Sequence, residues 1–115
     1  MKANIRFTVE FDIADGKLQD FERIARTMAD RTKTEPGALE YNFYFSDDRK
    51  RSRLLEAYAD AGAVLAHFKG TVVQELVPQL LTASSLTRFE VYGDPGTEAA
   101  QILASVGAVI YRGVL

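Results

Sequence analysis

EPGALEYNFYFSDDRKRSRLLEAYADAGAVLAHF, residues 35–68, decides the fold. Pro36-Gly37 stops whatever precedes it and turns the chain. From Ala38 to about Phe45 the residues alternate, with Leu39, Tyr41, Phe43 and Phe45 on one face and Glu40, Asn42 and Tyr44 on the other. That period of two marks a strand. Ser46 to Ser52 is a charged hairpin, and Arg53 to Ala59 reads as the strand that returns from it. Asp60 then suits a helix N-cap. In the helix that begins near Ala61, Val64, His67 and Phe68 stand at i, i+3 and i+4 and so share a face. His67 is the single histidine of the chain, and this spacing turns it toward the apolar interior.

The flanks extend the pattern. Ile5, Phe7, Val9, Phe11 and Ile13 alternate with Arg6, Thr8, Glu10 and Asp12, giving a first strand. Asp15-Gly16 ends it, and either residue is placed to cap the next helix. That helix runs from Lys17 to about Thr34, with Leu18, Phe21, Ile24, Ala25 and Met28 at helical spacing. After Gly70 interrupts the histidine helix, Thr71 to Leu81 is apolar and helical again, with Pro78 set to kink it. Ser85 to Tyr92 forms a fourth strand, with Thr87, Phe89 and Val91 opposed to Arg88, Glu90 and Tyr92. Gly93-Asp94-Pro95-Gly96 is a turn, Thr97 to about Val106 a short helix, and Ala108 to Arg112 a short strand. The order β-α-β-β-α-β, with an α-β tail, predicts an α+β ferredoxin-like domain with both main helices on one face of the sheet.

Bulk properties narrow the function. A chain of 115 residues supports one domain, spanning 1–115, with a single core. Net charge is −2 and the pI about 5.4, against the clustered basic surface that nucleic acid demands. There is no cysteine, which removes disulfides, thiol nucleophiles and thiolate metal sites. With one histidine as well, no dedicated metal site is expected. No apolar run reaches the roughly 18 residues that span a bilayer. Met1-Lys2-Ala3-Asn4 leads straight into a strand pattern without the apolar stretch of a signal peptide, so a cytoplasmic location is expected.

The sheet has two faces to fill. Phe7, Val9, Tyr41, Phe43, Leu55, Ala57, Phe89 and Val91 are expected beneath the helices. The opposite face would then carry Arg6, Glu10, Glu40, Asn42, Tyr44, Glu56, Tyr58, Arg88, Glu90 and Tyr92. Tyrosines mixed with balanced charges suit a contact surface, so a homodimer packed sheet to sheet is expected, with Glu56 and Arg88 in an inter-subunit ion pair. The tail after Gly93 would reach over the partner and seal a sheet edge.

The run EPGALEYNFY, a hairpin, then LLEAYADAGAVLAHF resembles the antibiotic biosynthesis monooxygenase (ABM) family of the dimeric α/β-barrel superfamily. The family pattern is matched by Pro36, Gly37, Tyr41, Glu56, Tyr58 and His67, and the tail FEVYGDPGTEAAQILASVGAVIYRG is similar to the extension of small single-domain members. The resemblance implies a dimeric α/β barrel. It also implies one of several chemistries: cofactor-free oxidation of anthrones and quinols, heme degradation, or isomerisation of small signal molecules. The heme-degrading branch uses an asparagine, a tryptophan and a histidine. This chain has no tryptophan, His67 takes that residue's place, and Val9 and Val77 stand at the other two positions. Heme degradation by that triad is therefore not expected.

By the same resemblance, substrate would lie between sheet and helices, near Phe7, Val9, Tyr41, Phe43, Phe68, Phe89 and His67. His67 titrates near neutral pH without a large perturbation and is the candidate proton acceptor, with Tyr41 orienting a ligand oxygen. Deprotonating an electron-rich aromatic lets it pass an electron to O2, so no cofactor is expected. The same positions suit a histidine satisfied by a backbone carbonyl and aromatic residues that are simply core. Three functions follow: a monooxygenase on a small aromatic, an isomerase using the same histidine without O2, and a non-catalytic ligand-binding homodimer.

Overall fold

The computed structural model describes residues 4–115 and shows a five-stranded sheet covered on one face by helices. Strands β1 (Ile5–Ile13), β2 (Ala38–Phe45), β3 (Arg51–Tyr58), β4 (Ser84–Tyr92) and β5 (Val109–Tyr111) lie in the order β2-β3-β1-β4-β5. The helices are α1 (Leu18–Thr32), α2 (Ala61–Lys69), α3 (Val77–Leu80) and α4 (Thr97–Ser105), and a π-helical turn, Val72–Leu76, joins α2 to α3. The first four strands are antiparallel neighbours in the ferredoxin-like order. Residues 1–3 of the expected first strand's approach lie outside the described residues.

Local chemistry accounts for most boundaries. Phe21, Ile24, Ala25 and Met28 are the buried stripe of α1. Its N-cap is Lys17, without a side-chain bond, and neither Asp15 nor Gly16 fills that role. Asp60 does cap α2, its Oδ1 accepting from the Ala63 amide at 2.9 Å. Gly70 ends α2, and the Val77 amide then reaches back to the Val72 carbonyl, closing a π turn where the sequence pattern predicts continuous helix. Pro78 supplies a reason: it has no N–H for the Gln74 carbonyl, and its ring would press on that carbonyl in a regular helix. The wider turn is where the helix gives.

The structure corrects the expected faces of the sheet at β3. Antiparallel partners share a face, and Glu56 stands opposite Phe7 on one side and Tyr41 on the other. Ser52, Leu54, Glu56 and Tyr58 therefore point under the helices, where all four are buried. Leu55 and Ala57 look to the opposite face, in register with Thr8 and Arg6. The phase follows from the hairpin: Phe45 pairs with Ser52, and the Ser46 amide bonds the Arg51 carbonyl. Once those ends are fixed, every later residue of β3 has its face assigned.

Two irregularities shift single residues. A bulge between Ala38 and Glu40 turns Leu39 out, where it is 56% exposed rather than inward-facing. Another, opposite Glu10 and Phe11, pairs Leu86 with Phe11, while Thr87 donates its hydroxyl to the Glu10 carbonyl. The tail also departs from expectation. Instead of crossing to a partner, α4 packs on α2 and β5 pairs in parallel with β4 of the same chain, covering that edge.

The Pro36-Gly37 turn presses on α2. Gly37 has φ +84°, and a Cβ there would lie 2.7 Å from the Ala63 Cβ. Only glycine accepts both the left-handed backbone and that approach. We expect Gly37→Ala to destabilise the fold by at least about 2 kcal/mol, read as a lowered urea midpoint. An unchanged midpoint would show that the turn is not held against α2.

Candidate functional site around His67

The turn and α2 together place a carboxylate on the histidine. Glu35 immediately precedes Pro36-Gly37, and its Oε1 lies 2.8 Å from His67 Nδ1. His67 is buried and Glu35 half-buried, so the pair joins the interior to the surface. With Glu35 as acceptor, Nδ1 carries the hydrogen and Nε2 keeps its lone pair. Nε2 faces inward, 3.8 Å from Glu56 Oε1. The rings of Tyr58 and Tyr41 flank the imidazole at 5.3 and 5.5 Å between centroids.

Glu56 is the unusual member. It sits in the middle of β3, beneath the helices, and Oε1 accepts a 2.6 Å hydrogen bond from the Tyr58 hydroxyl. Burial drives its pKa from 4.5 up to about 8; the Tyr58 bond opposes the rise and the Glu35 charge adds to it. Glu56 is thus uncharged at neutral pH. His67 moves the other way: burial lowers its pKa, partly offset by the charge and hydrogen bond of Glu35. It too is uncharged at neutral pH. Tyr41 is raised well above its ordinary value, first by burial and then by the Glu56 charge. Tyr58 is raised by burial, then by Glu56.

Glu56, His67 and Tyr41 form the polar end of a cavity of about 160 Å³. Its other walls are apolar: Val9 and Phe11 from β1, Met28 from α1, Leu54, Phe68, Phe89, Val73 after α2, Val77 of α3, and Ile102 and Leu103 of α4. Leu81, Leu86 and Val106 also line it and are themselves 36 to 51% exposed, so the cavity opens between the end of α3, β4 and the end of α4. The extra residue of the π turn sets the phase of this wall.

The expected site residues separate into two groups. His67, Tyr41, Val9, Phe68 and Phe89 all line the cavity. Phe7 lies in the layer below, stacked on Phe68 at 5.8 Å and packed against Tyr58 and Phe89. Phe43 packs among Phe11, Phe21 and Tyr41, toward α1. Glu56 and Arg88 do not form the expected ion pair across a dimer, since Glu56 is inside the fold. Glu35 is absent from the sequence-based reading of the site, and Glu56, though part of the family pattern, is assigned there to the outer face. Glu35 had only a place in a turn to mark it. Glu56 carried a readable signal, the Glu-x-Tyr spacing that puts Tyr58 on its own side of the strand.

The uncharged Glu56 makes stability depend on pH. Between about pH 4.5 and 8 the folded chain retains a proton that the unfolded chain has released, so stability falls as pH rises through that window and levels off above it. Glu56→Gln removes this contribution and leaves the smaller, opposite one of His67, whose lowered pKa makes stability rise toward neutral pH. The variant should gain on the native protein as pH rises from 5 to 8.5, by on the order of a few kcal/mol at the plateau. Parallel melting curves across pH would contradict a neutral buried Glu56.

Known proteins place this geometry in a family. The profile described as antibiotic biosynthesis monooxygenase, ABM, matches residues 5–79, which includes every polar group of the site. No curated protein matches the chain significantly. Among solved structures, MupZ from Pseudomonas fluorescens superimposes with a TM-score of 0.82 at 24% identity, covering 99% of this chain and 93% of its own. A conserved protein from Methanosarcina mazei gives 0.69 at 21% identity over 76% and 87%. A structure described as antibiotic biosynthesis monooxygenase gives 0.67 at 17% identity over 76% and 92%. These likenesses show the shared fold, including, for MupZ, the α4-β5 tail. With the profile spanning β1 to β3, both main helices and His67, well over half of its length, the chain belongs to the ABM family.

Proposed function

We propose that this chain is a cofactor-independent monooxygenase for a small aromatic metabolite of the phenol or quinol type. The observation that carries the reading is the cavity: apolar walls, and at one end a neutral histidine whose Nδ1 is held by Glu35 and whose Nε2 points inward. A general base of this kind needs the correct tautomer, a fixed ring and a protonation state suited to neutral pH. His67 accepts the proton, and Tyr41 orients the substrate oxygen. Val9, Phe68 and Phe89 hold the ring. Loss of the proton leaves an electron-rich anion that reduces O2; one oxygen atom stays on the substrate and the other leaves as water with the two hydrogens given up.

The cavity also sets scale. An apolar cavity of about 150 Å³ accommodates benzene, so about 160 Å³ corresponds to one ring. Fused three-ring substrates would need the mouth at Leu81, Leu86 and Val106 to widen. A second reading, isomerisation of a small carbonyl compound without O2, draws on Glu56, which adds a proton donor to the acceptor.

The outer face of the sheet supports a homodimer. Tyr44, Tyr92 and Tyr111 are exposed there, Tyr92 and Tyr111 stacked at 5.4 Å, with the apolar Leu55 on the same face. The correction at β3 makes this face less charged at its centre than the sequence suggests, which favours burial against a second copy.

Oxygen uptake with a panel of single-ring quinols and phenols tests the catalytic reading. We expect turnover that falls at least about 100-fold in His67→Ala; full activity in that variant would remove the proposed base. For the dimer, sedimentation at micromolar concentration should give twice the 12.8 kDa chain mass, and Leu55→Glu should return it to a monomer. A native protein that sediments as a monomer rules out the sheet-to-sheet assembly.

A further inference from the structure

Glu56 has no part in the oxygenation drawn above, yet its carboxyl faces the free nitrogen of His67. It lines the cavity, it is buried, and among the described residues its only hydrogen-bond partner is the Tyr58 hydroxyl. Its Oε1 and His67 Nε2 are 3.8 Å apart, too far for a hydrogen bond between them. That spacing lets one small ligand touch both, with a carbon at the imidazole and an oxygen at the carboxyl. We infer that Glu56 is a catalytic proton donor, paired with His67 as acceptor, and that the cavity takes an enolisable ketone or the keto form of a phenol. This rests on the proposed proton-transfer role of His67 and adds the acid that completes it.

Charge balance is the reason for pairing them. A base acting alone would leave an imidazolium and an enolate, the enolate without a partner, in a cavity with apolar walls, and burying unpaired charge is costly. With Glu56 taking part, the C–H proton passes to His67 Nε2 and the C–H bonding pair becomes the enol double bond. The carbonyl π pair accepts the Glu56 proton. A neutral ligand, a neutral acid and a neutral base become a neutral enol and a carboxylate–imidazolium pair already 3.8 Å apart. Tyr58 stabilises the carboxylate through its existing hydrogen bond, and Glu35 stabilises the imidazolium from the other side. No oxidant is consumed in this step; the enol is the species that O2, or a proton returned at another carbon, would then meet.

Binding of an oxyanion tests Glu56 without any turnover. Pentafluorophenol, a single-ring phenol already ionised at neutral pH, mimics the enolate oxygen. The groups facing Glu56 are Tyr58 on its own strand, Tyr41 from β2 and His67 from α2, with Glu35 behind His67. Burial raises both tyrosines and lowers the histidine, so between pH 7 and pH 9 Glu56 is the member of this set that changes charge. By calorimetry, native protein should lose about tenfold in affinity for the phenolate across that interval, as ionised Glu56 comes to repel it. Glu56→Gln should bind with no such loss. Infrared spectra should show a protonated carboxyl band in native protein at pH 7 that vanishes at pH 9 and is missing from Glu56→Gln. A pH-independent affinity in native protein, the same loss in the variant, no saturable binding at pH 7, or no such band overturns the assignment. Because none of these readouts involves oxygen, a failed oxygen-uptake assay leaves them intact and is separately interpretable.

Discussion

The row Phe7–Glu56–Tyr41, running across three strands, is the constraint on which the site depends. Glu56 is in the interior because β3 has one phase and not the other. A shift of one residue would place Leu55 and Ala57 under α2 and leave His67 Nε2 facing hydrocarbon. The observed phase has a cost of its own, since a buried carboxyl is costly even when hydrogen-bonded. The structure keeps the costly phase, and with it an acid and a base on opposite sides of one small space. Local choices that oppose stability concentrate at functional sites, and Glu56 is the clearest local choice of that kind here.

What brings the base to the acid is a backbone contact. Gly37 lets the turn after α1 approach α2 more closely than any side chain would permit, and Glu35 enters from that turn to fix the imidazole. The cap at Asp60 and the stop at Gly70 fix α2 at its two ends. His67 is thus oriented by elements distant in sequence, 32 residues in the case of Glu35. The apolar walls can vary without disturbing that orientation.

The amino-acid sequence discloses the architecture well and the site in part. Strand alternation in Ile5–Ile13, the stripe on α1, the Asp60 cap and the Pro36-Gly37 turn are local signals, and each is where local chemistry puts it. His67, Tyr41, Phe68 and Phe89 converge because helix and strand periodicity already assigns their faces. The phase of β3 was not legible in this way. Two adjacent leucines, Leu54 and Leu55, make both faces apolar there, and the hairpin ends decide between them. Alternation puts Leu39 and Thr87 on the wrong face for a related reason, because a bulge adds one residue that alternation cannot register. Glu35 was hidden by distance along the chain, since nothing near it announces a contact with α2.

The π turn at Val72–Leu76 has a further consequence. One inserted residue rotates everything after it by roughly 100° about the helix axis. Val77 and Leu81 owe their place on the cavity wall to that rotation. Losing a single codon there would turn them away and present neighbouring side chains instead, while the sheet, Glu56 and His67 stayed where they are. The fold therefore separates two inheritances: a proton-handling end anchored in paired strands, and a wall whose shape can be rewritten by the smallest possible change in length.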